Sequence, residues 1–154
     1  MKVEFKRATA EDVGAMCRRG MRRADEVEAL RMGFPDPYLA LLDSVQDSAV
    51  ALAAYTPNGI ACLVGAYEPS LLSDGAHIWL IGSEDLERYK VRFMKESRVI
   101  LDALLGKYAK LENWVDADNT GTLCWLEWLG FTIDRANPIT TMMGYPFYHV
   151  FKEA

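Results

Sequence analysis

Two apolar runs, "AVALAAY" (Ala49 to Tyr55) and "IACLVGAY" (Ile60 to Tyr67), are separated only by "TPNG" (Thr56 to Gly59). Pro and Asn-Gly supply turn geometry, so the segment is expected to fold as a β-hairpin. Neither run alternates between apolar and polar residues. Strands apolar on both faces belong in the middle of a sheet that is covered on each side. This one segment therefore demands helices above and below a central sheet.

The rest of the chain supplies them. "VEFKRAT" (Val3 to Thr9) alternates as a short edge strand does. Thr9 then caps a helix, with Asp12 in the capping-box position. Val13, Met16, Cys17, Gly20, Met21, Ala24 and Val27 form its apolar face. Arg18, Arg19, Arg22, Arg23, Asp25 and Glu26 fill most of the opposite face, and Gly33 stops it. "PDPYLALLDSV" (Pro35 to Val45) reads as a second helix. "EPSLLSDG" (Glu68 to Gly75) is a loop and "AHIWLIG" (Ala76 to Gly82) a strand. Ser83 caps a long helix, "EDLERYKVRFMKESRVILDALLGKYAKL". The regular stripe on that helix, from Leu86 through Phe93, Leu101 and Leu104 to Tyr108, is expected to be core rather than a cofactor groove. "ENWVDA" (Glu112 to Ala117) is a fifth strand, and a short helix runs from Asn119 or Thr120 to Leu129. "FTIDRA" and "FYHVFKE" are closing strands, with "NPITTMMGYPF" read as a loop between them. The order is β-α-α-β-β-β-α-β-α-β-β, an α/β fold with a mixed sheet and helices on both faces.

A chain of 154 residues suits a single domain spanning 1–154, and 51% hydrophobic with 25% charged residues is a globular balance. A net charge of −5 and a pI near 5.1 speak against a general nucleic-acid binder. Cys17, Cys62 and Cys124 lack metal-ligand spacing and are expected to be buried free thiols in a reducing compartment. The first residues lack the apolar run of a signal peptide, and no stretch reaches the roughly 20 apolar residues of a membrane span. The expected setting is the inside of a cell, without secretion. HExxH, CxxC, P-loop and GxSxG motifs are absent from the sequence, so no metal site is expected. Asp116 and Asp118 are read as flanking a turn rather than as a metal pair.

After the fifth strand stands "NTGTLCWLEWLGF" (Asn119 to Phe131). Together with the element order, it resembles the GCN5-related N-acetyltransferase (GNAT) family. In that family's motif Asn119 opens the segment, Thr122 takes the alanine place, Leu126 takes the tyrosine place, and Glu127 to Phe131 complete it. The resemblance in element order covers nearly the whole chain. The stretches Ile78 to Tyr108 and Leu111 to Phe131, with "GYPFYHV" (Gly144 to Val150), resemble more narrowly a GNAT-like family of tailed bacteriophages. That family includes the small internal virion protein A of podophages. The resemblance implies a virion or host protein as partner, and the host cytoplasm or the phage virion as location.

It also implies acetyl-CoA as the one cofactor, held by the fourth strand and the loop after it. Ile81, Gly82 and Ser83 would turn backbone N–H groups toward the pyrophosphate, Arg88 would face it, and Asn119 would touch the CoA arm. Two features oppose transfer chemistry. Gly82 is the loop's only glycine, and Glu84, Asp85 and Glu87 in the first helical turn stabilise the free helix while repelling an anion. Leu126 cannot donate a proton to a leaving thiolate where many family members use Tyr. Tyr145, Tyr148 and Tyr67 are substitutes by residue type. The candidates for a general base are His77, Glu68 and Asp74, with His77 foremost because histidine titrates near neutrality. A lone histidine at a strand start also serves as a structural or surface residue. The expected function is an accessory or virion-associated binding protein with weak or no transferase activity. The alternative is an active acetyl-CoA-dependent N-acetyltransferase of a small amine or protein substrate.

Overall fold

The computed structural model describes residues 2–154. The chain runs β1 (Glu4–Arg7), α1 (Ala10–Arg19), α2 (Arg23–Met32), α3 (Pro37–Asp47), β2 (Val50–Thr56), β3 (Gly59–Tyr67) and β4 (Gly75–Gly82). It continues with α4 (Glu84–Arg88), α5 (Lys90–Leu105), β5 (Lys110–Asp116), α6 (Thr120–Trp128), β6 (Thr132–Thr140) and β7 (Pro146–Glu153). The strands form one sheet in the order β1-β2-β3-β4-β5-β7-β6. Every pair is antiparallel except β4 with β5.

The hairpin of β2 and β3 behaves as its composition demands. Ala54 and Cys62 pack into one core cluster with Phe93, Leu101 and Leu104 of α5 and Trp125 of α6. Ala53 and Leu63 pack into the other, with Val13 and Met16 of α1 and Leu41 and Val45 of α3. Helices thus cover both faces. Gly59 closes the turn at φ 121°, a backbone conformation that costs glycine nothing.

The expected order holds, but two of the expected helices are each divided. Gly20 adopts φ 100° and ends α1. The N–H of Arg22 then bonds the Gly82 carbonyl at 2.7 Å instead of continuing the helix. The long helix breaks at Tyr89 (φ −113°, ψ 38°) and stops at Leu105, because Lys110 and Leu111 are drawn into pairing with Gly75 and Ala76. Strand β6 extends to Thr140 through "NPIT", which had read as loop. A bulge between Asp134 and Ile139 relieves the ladder around Pro138, and β6 is the edge strand, where proline is tolerated. The thiols also differ from expectation: Cys62 is buried, whereas Cys17 and Cys124 are exposed.

Candidate functional site

Strands β4 and β5 are in register only at Gly75–Lys110, Ala76–Leu111 and His77–Glu112. Beyond that point β4 stays with β3 as far as Gly82, and β5 stays with β7 as far as Asp116. The two parallel strands therefore open into a V. At its vertex the Asn113 side-chain amide donates to the Ile78 carbonyl, and Asn113 Oδ1 accepts from the Trp114 N–H at 2.7 Å. Since the Ile78 carbonyl faces β5, alternation directs the backbone groups of Leu80 to the same unpaired edge. A cavity of about 120 Å³ occupies the V, far above the ~10–15 Å³ that one water needs. Its walls include Ile78 and Leu80 of β4, Phe93 and Leu104 of α5, and Trp125 and Leu126 of α6.

Helix α2 lies across the open end. Arg22 caps α2, and Asp25, Glu28 and Arg31 follow at intervals of three, each beside the one before it. Arg22 pairs with Asp25 at 2.8 Å and with Glu87 at 2.7 Å. Asp25 Oδ2 accepts the Gly82 N–H at 2.8 Å. Glu28 Oε2 accepts the Asn119 side-chain amide at 2.8 Å. Arg31 reaches Asp116 at 3.1 Å and Asp118 at 2.7 Å, at the end of β5. One end of α2 is thus tied to β4 and the other to β5. Arg22 and Asp25, which read as part of a solvated face, are 8% and 6% exposed.

Glu28 lines the cavity. Burial, with Asp25 and Asp116 nearby, pushes its carboxyl up to about 7, although the Asn119 hydrogen bond pulls the other way. Cys62 also lines the cavity, but burial raises its thiol to about 12, so it carries little thiolate at neutral pH. Asp116 and Asp118 are engaged by Arg31, and among the described residues no cluster of three or more His, Cys, Asp or Glu could hold a metal ion.

The loop after β4 is closed on itself. The Gly82 N–H goes to Asp25, the Ser83 N–H to the Ala61 carbonyl at 2.9 Å, and the Leu86 N–H to the Ser83 carbonyl at 3.1 Å. Ser83 Oγ caps the Asp85 N–H and itself donates to the Ile60 carbonyl. Asp85 is fully buried, accepts from Thr56 Oγ1 at 2.6 Å and faces Arg19 at 3.0 Å. A Cβ on Gly82 would come within 2.3 Å of Leu86. This glycine therefore makes room for a leucine, not for a ligand.

Several solved structures match this chain almost end to end. An acetyltransferase of the GNAT family from Streptococcus pneumoniae superposes with a TM-score of 0.63 at 13% identity, covering 99% of both chains. The ribosomal-protein-alanine N-acetyltransferase from Brucella melitensis gives 0.69 at 12%, covering 98% of this chain and 99% of its own. The spermidine N-acetyltransferase from Vibrio cholerae, solved with CoA and spermine, gives 0.65 at 13%, covering 98% and 95%. The chain has a GNAT-like fold. At these identities the likeness is one of fold. No protein-family model matches the chain, and no curated protein does either.

Within the GNAT-like fold, the residues singled out from the sequence scatter. Asn119 lines the cavity, caps α6 by accepting the Thr122 N–H, and holds Glu28. Leu126, in the family's tyrosine place, lines the same cavity. Ile81 packs against the opposite core cluster, and Gly82 and Ser83 are enclosed as described. Arg88 is more than half exposed, 4.0 Å from Asp85. His77 sits at the paired end of β4 beside Tyr67, and Glu68 accepts the Tyr108 hydroxyl at 2.9 Å. Tyr145 lies under the Arg31 guanidinium, 4.3 Å from ring centre to carbon. Ile81, Gly82, Ser83, Arg88, His77, Glu68 and Tyr145 do not line the cavity.

The stripe on α5 that read as pure core does two jobs: Phe93, Leu101 and Leu104 are buried and also wall the cavity. Trp125 turns inward while Trp128 is 46% exposed beneath Arg98, because three helical steps span 300° and place neighbours on either side of a boundary. Glu28 was missed. Its signal lay in the three-residue spacing from Asp25 and to Arg31 along a helix otherwise read as apolar face and solvated face.

Proposed function

We propose that this chain uses the acetyltransferase scaffold for binding rather than transfer, as an accessory or virion-associated protein with weak or no transferase activity. The observation that carries this is the Asp25 carboxylate on the Gly82 N–H, in the loop where the GNAT resemblance places the CoA pyrophosphate. The residues there do not fit that group. An incoming phosphate would have to displace an internal carboxylate and lie among Glu84, Asp85 and Glu87. One like charge brought within 4 Å of Asp25 costs about 4 kcal/mol at an effective dielectric of 20. Leu126 supports the same reading, since a leucine at the thiol end provides no proton. The resemblance to the phage family supports the virion or infected-host setting and a virion or host protein as partner.

A second reading, an active acetyl-CoA-dependent N-acetyltransferase of an amine or protein, is favoured by one observation. Glu28 presents a carboxyl poised near neutrality to the open V. Calorimetry separates the two. Wild type should bind acetyl-CoA no tighter than millimolar, and Asp25→Ala, which frees the Gly82 N–H and half of Arg22, should bind at least tenfold tighter. Micromolar binding by wild type would overturn the first reading.

A further inference from the structure

Helix α2 is fastened differently from the helices around it. Val27, Leu30 and Met32 belong to neither core cluster, and the one buried residue of α2 is Asp25. What holds the helix is polar. The Arg22 N–H lies on the Gly82 carbonyl, Asp25 on the Gly82 N–H, Glu28 on the Asn119 amide, and Arg31 on Asp116 and Asp118. An element held this way, with few buried apolar contacts, opens at lower cost than the core does. Glycines bound it at both ends: Gly20 at φ 100° and Gly33 at φ 111°. At neither is there a heavy atom of a more distant residue within 4 Å of the place a Cβ would take. The chain has room to turn at both points, as a hinge requires.

We propose that α2 is a hinged strap over the cavity and that Glu28 is its pH-sensitive latch. With its carboxyl protonated the strap stays down, and ionisation loosens it. The charges facing Glu28 decide the direction. On α2 itself Asp25 stands to one side of it and Arg31 to the other, with Arg22 beyond Asp25. Arg22 is divided between Asp25 and Glu87 of α4, and Arg31 between Asp116 and Asp118 at the end of β5. Glu96 of α5 lines the same cavity. Among the described residues no cation forms an ion pair with Glu28. Its hydrogen bonds come from the Asn119 amide and the Asp116 backbone, and a neutral carboxyl oxygen accepts such bonds too. Ionisation would strengthen both bonds. It would also place a charge out of water beside Asp25 and Asp116, and burial first, like charge second, outweigh the gain. Lifting α2 returns the carboxyl to water and to its ordinary titration near 4.5, against about 7 when the strap is down. The closed strap therefore binds the proton more tightly. Opening becomes easier as pH rises from 4.5 to 7 and changes little outside that window.

The test is amide hydrogen exchange of the full chain without ligand, followed by mass spectrometry at pH values from 4 to 8. The result is thus independent of what the V binds. Once the pH dependence of intrinsic exchange is divided out, protection of the α2 amides should fall roughly tenfold or more between pH 4 and pH 8 and level off above 7. The α2 amides should also exchange well ahead of those in β3 and β7, which await unfolding of the whole chain. In Glu28→Gln the α2 amides should keep the same protection at every pH. Protection of α2 equal to that of β3 would overturn the hinge, because α2 would then leave only with the sheet. A level profile in wild type, or the same fall in Glu28→Gln, would overturn the latch. The wild-type profile needs no variant, so a failure of Glu28→Gln to fold leaves the proposal open to refutation.

Discussion

Glu28 offers a direct measure of how much the fold strains to keep a carboxyl over the V. Its carboxyl titrates at about 7 in the folded chain against the ordinary 4.5. At about 1.4 kcal/mol per pH unit the penalty for ionising it in place is capped at about 3.5 kcal/mol. Because the residue is only partly buried, solvent will take back part of that, leaving about 1–3 kcal/mol. The sign follows from proton counting. Between pH 4.5 and 7 the folded chain holds a proton that the unfolded chain has lost, so this group's contribution is fully present below 4.5 and falls away as pH rises through 7. Glu28→Gln keeps an oxygen for the Asn119 amide and removes the titration. Urea unfolding of both proteins at pH 4 and pH 8 measures the difference. The variant should match wild type near pH 4 to within about 0.5 kcal/mol and exceed it by about 1–3 kcal/mol at pH 8. Parallel stability profiles across that range would refute the reasoning. A loss of stability in the variant at both pH values would show instead that Glu28 serves as an indispensable acceptor.

Asp85→Asn leaves Arg19 without its buried partner and weakens the bond from Thr56, so unfolding should come about 3 kcal/mol sooner at pH 7, a fall of roughly 10 °C in the melting temperature. A thiol reagent should modify two cysteines in the native protein, Cys17 and Cys124, with Cys62 reacting only on unfolding; three fast-reacting thiols would contradict the burial of β3. Leu126→Tyr restores a hydroxyl at the thiol end of the cleft but leaves the Gly82 N–H occupied, so a free-CoA release assay with amine acceptors should stay at background. Transfer activity in that single variant would show that the closed loop is no obstacle.

The sheet was legible because its signals are local. The two apolar runs announce a doubly covered hairpin, and Asn119 caps α6 where an asparagine before a helix predicts it. What was not legible depends on neighbours distant in sequence. Gly20 divides a helix whose apolar spacing continues unbroken, because the Gly82 carbonyl captures the next turn's N–H. Asp25 looks like a surface acid until β4 ends beside it. Pro138 looks like a loop residue until a bulge on an outer strand accommodates it. Of the site, Asn119 and Leu126 could be placed through the resemblance. The carboxyl over the V is supplied by α2, roughly ninety residues earlier in the chain, and no local pattern connects the two.

Helix α2 is also a ruler. Its contacts to β4 begin at Arg22 and its contacts to β5 end at Arg31, an axial distance of about 14 Å at the α-helical rise. The gap between two strands that no longer hydrogen-bond to each other is therefore gauged by a rod that cannot stretch. Anything wider than that gap must enter by lifting the rod, not by spreading the prongs. Backbone amide exchange in α2 would then quicken or slow with occupancy while the sheet on either side keeps its protection.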